Sequence, residues 1–176
     1  YAYVLDVLPE GRPDSKRRFR REAVVYGLGI EEFKIFDMKP VPGAAINIGD
    51  RCYIGKETEE RTQIDHVRAR VNFVELTHTA QSELGFVLDE IVKENEEKFI
   101  QFYNHAGPIS RRYHSLELIP GLGKKTMNMI VDNRPYSTFK EMEEKIPNFR
   151  NPEKYISQRI ENEIKESDQK YRLFVR

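Results

Sequence analysis

Hydrophobic and polar positions alternate near residue 70 and then change to a helical spacing near residue 80. Val67, Ala69, Val71 and Phe73 alternate with polar residues, the period of two that is typical of a half-buried strand. Runs rich in β-branched and aromatic residues predict further strands at 1–8, 23–26, 33–38 and 46–54. A break is expected at Gly27-Leu28-Gly29, where a bend or bulge fits. Four or five short strands in about 75 residues indicate a small barrel, with the OB-fold as the leading expectation.

A helical spacing follows from Thr79 to about Asn104. Apolar residues recur there at steps of three and four, which is typical of an amphipathic helix that packs on one side. These residues are Leu84, Val87, Leu88, Ile91, Phe99 and Phe102. We predict one long acidic helix with Thr79 as its N-cap and a stop at residues 104–108. Its acidic residues fit a solvated face better than a metal or catalytic cluster.

The segment 119–126, Ile-Pro-Gly-Leu-Gly-Lys-Lys-Thr, carries the most specific motif of the chain. Gly121 and Gly123 allow a tight turn and a close approach of a partner to the backbone. The helix predicted to follow would direct its free N–H groups and its positive dipole end at the same place, which suits a phosphate. Lys124 and Lys125 add positive charge in the first turn, where the helix dipole alone disfavours it.

Several interpretations of this segment compete. A nucleotide-binding P-loop requires G-x-x-x-x-G-K-[ST], but Leu118 stands at the first glycine position and Lys125 at the Ser/Thr position. A dinucleotide-binding fingerprint requires three glycines after a strand, and two are present. The spacing matches the hairpin of a helix-hairpin-helix motif, which binds phosphate backbones without sequence specificity, although Met127 replaces the usual alanine. An ordinary helical turn with a glycine cap is the remaining alternative.

A second, degenerate hairpin is predicted at residues 146–151. The order hydrophobic-Pro-x-hydrophobic recurs there, but Asn148 and Arg150 replace the two glycines. Because Asn tolerates left-handed backbone and Arg does so poorly, we predict that this turn is structural. A helix then begins at 151–153 with an N-cap and a proline in its first turn. Its apolar stripe is Ile156, Ile160 and Ile164.

These patterns predict an α+β chain of two domains. An OB-like β-barrel would occupy residues 1–78 and a linker helix residues 79–106. An all-α tandem helix-hairpin-helix domain would occupy residues 107–176, with its first hairpin at 119–124. In a chain of 176 residues each domain has a small core.

The formal net charge of zero conceals an uneven distribution. Residues 73–110 hold two Lys/Arg against seven Asp/Glu, whereas residues 111–176 hold fourteen against ten. Overall neutrality argues against a bulk polyelectrolyte binder, so a nucleic-acid site is expected to be a local patch. No run approaches the about 18 apolar residues of a membrane span. The single cysteine, Cys52, excludes an intramolecular disulfide and fits a reducing cytoplasm.

Two parts of the predicted barrel are candidate nucleic-acid contacts. Residues 16–21 place five basic side chains around one aromatic, between strands one and two, where an OB-fold binds oligonucleotides. They are Lys16, Arg17, Arg18, Phe19, Arg20 and Arg21. Arg68 and Arg70, on the outward side of the strand at 66–72, are candidates for phosphate contacts. The alternatives are a solvated loop and the ordinary wet face of a sheet.

No catalytic constellation is recognisable in the sequence. The four histidines fall at no metal-ligand spacing, and no nucleophile motif is present. We therefore expect a protein that is not an enzyme, with no metal and no cofactor.

The chain resembles an archaeal family, domain of unknown function 655. The resemblance rests on the barrel-like N-terminal half, the acidic helix, the hairpin at 119–125 and the segment Gly49-Asp50-Arg51-Cys52-Tyr53-Ile54-Gly55. It implies a nucleic-acid-binding protein of the archaeal cytoplasm, with RNA preferred to DNA and no established activity. Resemblance to helix-hairpin-helix proteins in general implies that Gly121, Gly123 and Lys124 contact phosphate. It also allows a monovalent cation on the hairpin carbonyls.

The leading hypothesis is a non-enzymatic protein that binds the backbone of RNA or DNA without reading the base sequence. The predicted contacts outside the barrel are Gly121, Leu122, Gly123, Lys124, Lys125, Thr126, Arg111 and Arg112. The barrel would add residues 16–21, Arg68 and Arg70. The alternative is a protein-interaction adaptor or an accessory subunit of a nucleic-acid-processing complex, and no membrane partner is expected.

Overall fold

A five-stranded antiparallel sheet, curled into a half-barrel, forms the N-terminal part of the protein. The computed structural model describes residues 1–12, 22–166 and 168–176. The strands are β1 (Ala2–Leu8), β2 (Val24–Gly29), β3 (Ile35–Pro40), β4 (Arg51–Cys52) and β5 (Ile64–Val71). Their spatial order is β4-β1-β2-β3-β5, which leaves β4 and β5 at the two edges.

Every strand contributes to one apolar core inside the half-barrel. The fully buried residues of this core are Ala2, Val4, Val25, Met38, Cys52 and Ile64. Gly27 in β2 packs closely against its neighbours, because a Cβ there would lie 2.3 Å from Met38 Cε and 3.2 Å from the Tyr3 carbonyl oxygen. Burial of a Val, Ile or Met side chain stabilises the fold by about 1.5–3 kcal/mol, so this cluster holds the strands together.

The expected break at Gly27-Leu28-Gly29 is wrong, because β2 continues through Gly29. The irregularity lies instead in the facing strand, where the register of β1 shifts between Val4, opposite Gly27, and Asp6, opposite Tyr26. The chain turns only after Gly29, where Phe33 has a φ of 60° and is buried. The glycines therefore make room across the sheet rather than bend the strand.

The strand predicted at 46–54 is much shorter in the structure. Only Arg51–Cys52 pairs with β1, and the residues before it form a turn in which Gly49 has a φ of 90°. The Asp50 carboxylate accepts a hydrogen bond from the Asn47 N–H at 2.8 Å, which stabilises that turn. Beyond the paired residues, Gly49 donates to the Val4 carbonyl of β1 at 2.8 Å and the Asp50 carbonyl accepts from the Val4 N–H at 2.9 Å, so the turn stays attached to the sheet edge.

β5 is present, but its alternation is incomplete. Ile64 is buried and Val67 packs against the core, whereas Ala69 is exposed. Two register shifts against β3 interrupt the period of two, and an edge strand has a neighbour on one side only.

Five α-helices lie downstream of the sheet in the described residues. They are α1 (His78–Glu94), α2 (Glu96–His105), α3 (Lys124–Asp132), α4 (Phe139–Lys145) and α5 (Pro152–Lys165). Single 3₁₀ turns occur at Thr58–Glu60, Phe73–Glu75 and Ser115–Leu118. In the part of the chain described here, no helix has the length and hydropathy needed to cross a membrane.

The single long helix expected from Thr79 to Asn104 is two helices. Asn95 interrupts it with a φ of −116° and a ψ of 39°, and its side-chain amide donates to the Ile91 carbonyl at 2.8 Å. The Asn95 N–H also donates to the Ile91 carbonyl at 3.1 Å, so the side chain and the backbone share one acceptor at the interruption. α1 also begins earlier than predicted, because Thr77, not Thr79, accepts the capping hydrogen bond from the Ala80 N–H at 3.1 Å.

The chain divides into two compact units. The first consists of Tyr1–Val87 with Ile164–Asp168 and Phe174–Arg176, and the second of Leu88–Glu163 with Gln169–Leu173. The division falls inside α1. The domain limits predicted at 78 and 106 stay predictions.

The second unit has a helical core in which several buried polar groups are paired. Tyr103 is fully buried, and its hydroxyl donates to the Pro152 carbonyl at 2.6 Å. Burial raises the pKa of this phenol well above its usual value. One Nη atom of Arg134 donates to the carbonyls of Tyr103, Asn104 and Ala106, which would otherwise be left without partners at the end of α2.

Candidate nucleic-acid interface

The turn before α3 requires a glycine at position 121. Gly121 has a φ of 84°, a left-handed conformation that other L-residues adopt at a cost. A Cβ there would also lie 3.2 Å from Cε1 of Tyr155, closer than an ordinary contact. Gly121 therefore has a sufficient structural explanation, and it need not contact a ligand.

Gly123 has no such explanation within the chain. It is the N-cap of α3 with a φ of −75° and a ψ of 163°, which any residue adopts. A Cβ built on it meets nothing within 4 Å, so no neighbour excludes a side chain. The missing side chain leaves open space in front of the first turn of α3.

The first turn of α3 faces this space with unpaired donors and positive charge. Among the described residues, no acceptor is found for the backbone N–H groups of Lys124, Lys125 and Thr126. Lys124 and Lys125 are exposed, and neither forms an ion pair with a described residue. The turn lacks any acidic residue to balance the helix dipole. An anion would satisfy both the donors and the charge.

Ahead of the hairpin, a one-turn 3₁₀ helix takes the place that a longer helix has in the predicted motif. This turn, Ser115–Leu118, is closed by a capping box: Nδ1 of His114 accepts from the Leu116 N–H at 3.1 Å, and Glu117 accepts from the His114 N–H at 2.8 Å. Burial, and then the positive charge of Arg134, lowers the pKa of His114. The neutral imidazole is the form that accepts the capping hydrogen bond.

Arg159 of α5 forms hydrogen bonds with the residues that precede the hairpin. Its Nε lies 3.0 Å from Glu163 Oε2, its Nη1 donates to the Leu118 carbonyl at 3.1 Å and its Nη2 to the Tyr171 carbonyl at 2.7 Å. Glu163 in turn accepts from the Leu173 N–H at 2.9 Å. We call these groups the Arg159 clip. The clip was not predicted from the sequence, although positions 156, 159, 160 and 163 share one face of a helix.

The second hairpin repeats the backbone of the first at its first glycine position. Asn148 has a φ of 62°, close to that of Gly121. Arg150 needs no left-handed conformation, and the next residue, Asn151, adopts a φ of 54° instead. The buried Phe149 ring stacks on Tyr155 with centroids 5.1 Å apart. These contacts fit the predicted structural role of this turn.

Arg111 and Arg112 lie in a tight turn closed by backbone bonds from Ile109 and Ser110 to the Tyr113 carbonyl. Both arginines are exposed, and no ion pair is found for either of them within the described residues. Their guanidinium groups are therefore available to a partner.

The two arginines predicted on β5 differ. The guanidinium of Arg68 is saturated, since it donates to Asp37, to Glu22 and to the carbonyls of Ala23 and Met38. Arg70 is exposed, and its charge is one of several that lower the pKa of Glu32, after the dominant contribution of Lys34. We leave Arg68 out of the candidate interface because its donors stabilise the sheet.

The described residues include neither the predicted basic loop nor a group that could hold a metal ion. Lys16, Arg17, Arg18, Phe19, Arg20 and Arg21 lie outside the described residues. Across residues 1–12, 22–166 and 168–176, no three His, Cys, Asp or Glu side chains form a group that could hold a metal ion. Cys52 is buried, which raises the pKa of its thiol to about 11 and disfavours the reactive thiolate.

The half-barrel, the helices and the glycine hairpin define a mixed α+β protein. The chain belongs to the family described as "Protein of unknown function (DUF655)", whose sequence profile matches residues 1–176. It is 43% identical over 180 residues to the uncharacterized protein MJ0038 of Methanocaldococcus jannaschii, a match that covers 100% of this chain and 79% of that protein. It is also similar to the crystal structure of Af1531 from Archaeoglobus fulgidus, with a TM-score of 0.90, 37% identity and coverage of 99% and 98% of the two chains. The family membership expected from the sequence, with archaeal relatives, is confirmed.

Proposed function

We propose that the protein binds the phosphate backbone of nucleic acid without reading its sequence, through the first turn of α3. The observation that carries this proposal is Gly123, which neither backbone conformation nor packing requires to be glycine. A phosphate oxygen could approach the free N–H groups of Lys124, Lys125 and Thr126 through the space that its missing side chain leaves. Phosphate contacts of this kind fix position and orientation, and they carry no base information.

Charge supports the same assignment. Lys124, Lys125, Arg111 and Arg112 are exposed in the second unit without ion-pair partners among the described residues. If about four phosphates are neutralised, the logarithm of the binding constant should fall with the logarithm of salt concentration with a slope of about −3 to −4. RNA is preferred to DNA on the family resemblance alone.

The half-barrel is the second part of the proposal. Its five-strand antiparallel order is compatible with a partly open OB-like barrel, a fold whose sheet face and loops bind oligonucleotides. Residues 16–21 and Arg70 would supply the nucleic-acid contacts of the half-barrel. The support for residues 16–21 is their basic and aromatic sequence. The protein would act without catalysis, in the cytoplasm, as a binding module.

The test is fluorescence anisotropy with labelled single-stranded and duplex RNA and DNA, at about 50 and 200 mM salt. The decisive variant is Gly123→Asp. Aspartate is a better N-cap than glycine and stabilises the helix dipole, so this variant should fold at least as stably as the wild type. Its carboxylate would occupy the phosphate position, and we expect binding to fall at least tenfold. Unfolding could not explain a loss of binding in a protein that has become more stable.

Two double variants that each lose two positive charges distinguish contacts at the hairpin from an effect of net charge. Lys124→Gln/Lys125→Gln should weaken binding and reduce the salt slope by about 1.5–2, whereas Lys93→Gln/Lys140→Gln should leave both nearly unchanged. Lys93 and Lys140 are likewise exposed and belong to the same unit. Equal losses in the two double variants would remove the hairpin from the site. Failure of the wild type to bind any of the four probes, together with a partner complex that survives nuclease and high salt, would favour the adaptor alternative.

A further inference from the structure

Two tyrosines form an exposed aromatic pair in the second unit. Tyr113 is 47% exposed, Tyr171 is partly exposed, and their ring centroids lie 6.2 Å apart with the planes inclined by 56°. The buried tyrosines of this unit are held differently, because Tyr103 and Tyr136 each donate a hydroxyl hydrogen bond to a backbone carbonyl. In the described part of the chain, no such bond is found for the hydroxyl of Tyr113 or Tyr171. The pair thus presents ring surface to solvent without being anchored as a core element.

Basic residues neighbour the pair in space or in sequence. Lys170 Nζ lies 5.3 Å from the centroid of the Tyr171 ring, and Arg111 and Arg112 immediately precede Tyr113. All three basic side chains are exposed. An aromatic surface with cationic neighbours is the combination that proteins use to bind single-stranded nucleic acid, because bases stack on the rings while the charges follow the phosphates.

The Arg159 clip joins this surface to the hairpin. The two terminal nitrogens of the Arg159 guanidinium donate to the carbonyls of Leu118 and Tyr171, at 3.1 and 2.7 Å. The backbone at Leu118 and the backbone at Tyr171 are therefore held close to each other. Gly121 follows Leu118 by three residues, which limits the separation of their Cα atoms to about 11 Å. One short stretch of polynucleotide could therefore contact the hairpin and the tyrosine pair together.

We propose that Tyr113 and Tyr171 form a base-stacking platform, and that the ligand of this protein is consequently single-stranded nucleic acid. This inference rests on the proposed function and deepens it. The hairpin holds the backbone, and the platform receives an unstacked base from the adjacent nucleotide. A duplex, whose bases are already stacked, gains nothing from the rings. Stacking on an aromatic side chain strengthens binding roughly 5- to 100-fold per base, without sequence preference.

The test compares a single-stranded oligonucleotide with an abasic oligonucleotide of the same length and phosphate number. We expect the intact strand to bind at least about fivefold more tightly. Tyr113→Leu should reduce the affinity for the intact strand to that for the abasic strand and leave the abasic and duplex affinities unchanged. Tyr113→Phe should retain the wild-type preference. Phe86→Leu is the control, since the Phe86 ring is 69% exposed and belongs to α1, to which no nucleic-acid contact is assigned.

A second readout detects the stacked base directly. The chain contains no tryptophan, so Tyr113→Trp introduces a single indole fluorophore. Its emission should be quenched by the intact strand and not by the abasic one. Equal affinities for the two strands, both lowered by Gly123→Asp, would overturn the platform and leave the backbone-binding function standing. Absence of binding to either strand would overturn both.

Discussion

Arg159 and Glu163 form an ion pair on the buried face of α5, with Nε 3.0 Å from Oε2 and only 9% and 0% of the two side chains exposed. The pair is not isolated, because its remaining donors and acceptors bind the backbone of Leu118, Tyr171 and Leu173. A buried charge of this kind is tolerated only when all of its hydrogen bonds are made. The clip therefore connects the helix, the hairpin lead-in and the C-terminal segment of the second unit.

Replacing Arg159 by methionine should destabilise the protein by about 3–5 kcal/mol, because the carboxylate of Glu163 would stay buried without its partner. The measurement is urea unfolding followed by circular dichroism. Lys154→Met on the same helix is the control: the Lys154 side chain is 61% exposed in its ion pair with Asp89, so its loss should cost about 1 kcal/mol or less. Similar losses for the two variants would mean that the clip is more solvated than its burial indicates.

The same substitution at the two hairpin glycines should have opposite effects. Gly121→Ser places a side chain at a φ of 84° and against Tyr155, and we expect a loss of about 1–3 kcal/mol. Gly123→Ser adds a favoured N-cap in open space and should leave stability unchanged or raise it by a few tenths of a kcal/mol. Thermal and urea unfolding of both variants test this. An equal loss at both positions would contradict the structural distinction between them.

The contrast between these glycines also shows what sequence spacing could and could not predict. The spacing located the turn, but it assigned one role to two residues that differ in backbone conformation and surroundings. The second hairpin shows the same limit: Arg150 stands at a glycine position of the pattern, yet its backbone has no positive φ. Backbone angles depend on where the following helix begins, which the pattern alone does not determine.

Packing space and side-chain hydrogen bonds to the backbone explain the other differences. The strand and helix types followed from periodicity, but the end of β2, the short β4 and the interruption at Asn95 depend on cross-strand space and on side-chain hydrogen bonds to the backbone. The buried ion pair in α5 was not predicted, because charged residues are normally assigned to the solvent-exposed face of a helix. The spacing of Arg159 and Glu163, in register with Ile156 and Ile160, was the available signal.

Cys52 should resist alkylation in the native protein. Its side chain is fully buried, and burial raises the pKa of the thiol to about 11, so the reactive thiolate is scarce at pH 8. We expect iodoacetamide to modify it only through unfolding, at a rate that increases with urea. A Val4→Ala variant, which opens a cavity in the same core, should accelerate modification without changing the intrinsic reactivity of the unfolded chain. Rapid modification of the wild type in the absence of urea would contradict the burial of Cys52.

His114 should make the stability of the second unit sensitive to acid. Its pKa is lowered in the folded protein by burial first and by Arg134 second, against a smaller opposing effect of Glu117. The unfolded chain, with an ordinary histidine pKa of about 6.5, therefore binds the proton more readily than the folded one. The contribution of neutral His114 is complete above about pH 6.5 and is lost as the pH falls through the lowered folded-state pKa.

The comparison with His114→Asn isolates this effect, because asparagine can keep the capping hydrogen bond to the Leu116 N–H without titrating. Between about pH 7 and pH 5, the melting temperature of the wild type should fall more than that of the variant, since all other titrating groups are shared. Circular dichroism melts at intervals of about half a pH unit would measure the difference. Parallel curves for the two proteins would show that protonation of His114 leaves the capped turn intact. A steeper fall of the melting temperature in the variant would mean that the folded protein stabilises the imidazolium. The pKa of His114 would then be raised on folding, whereas burial and Arg134 lower it.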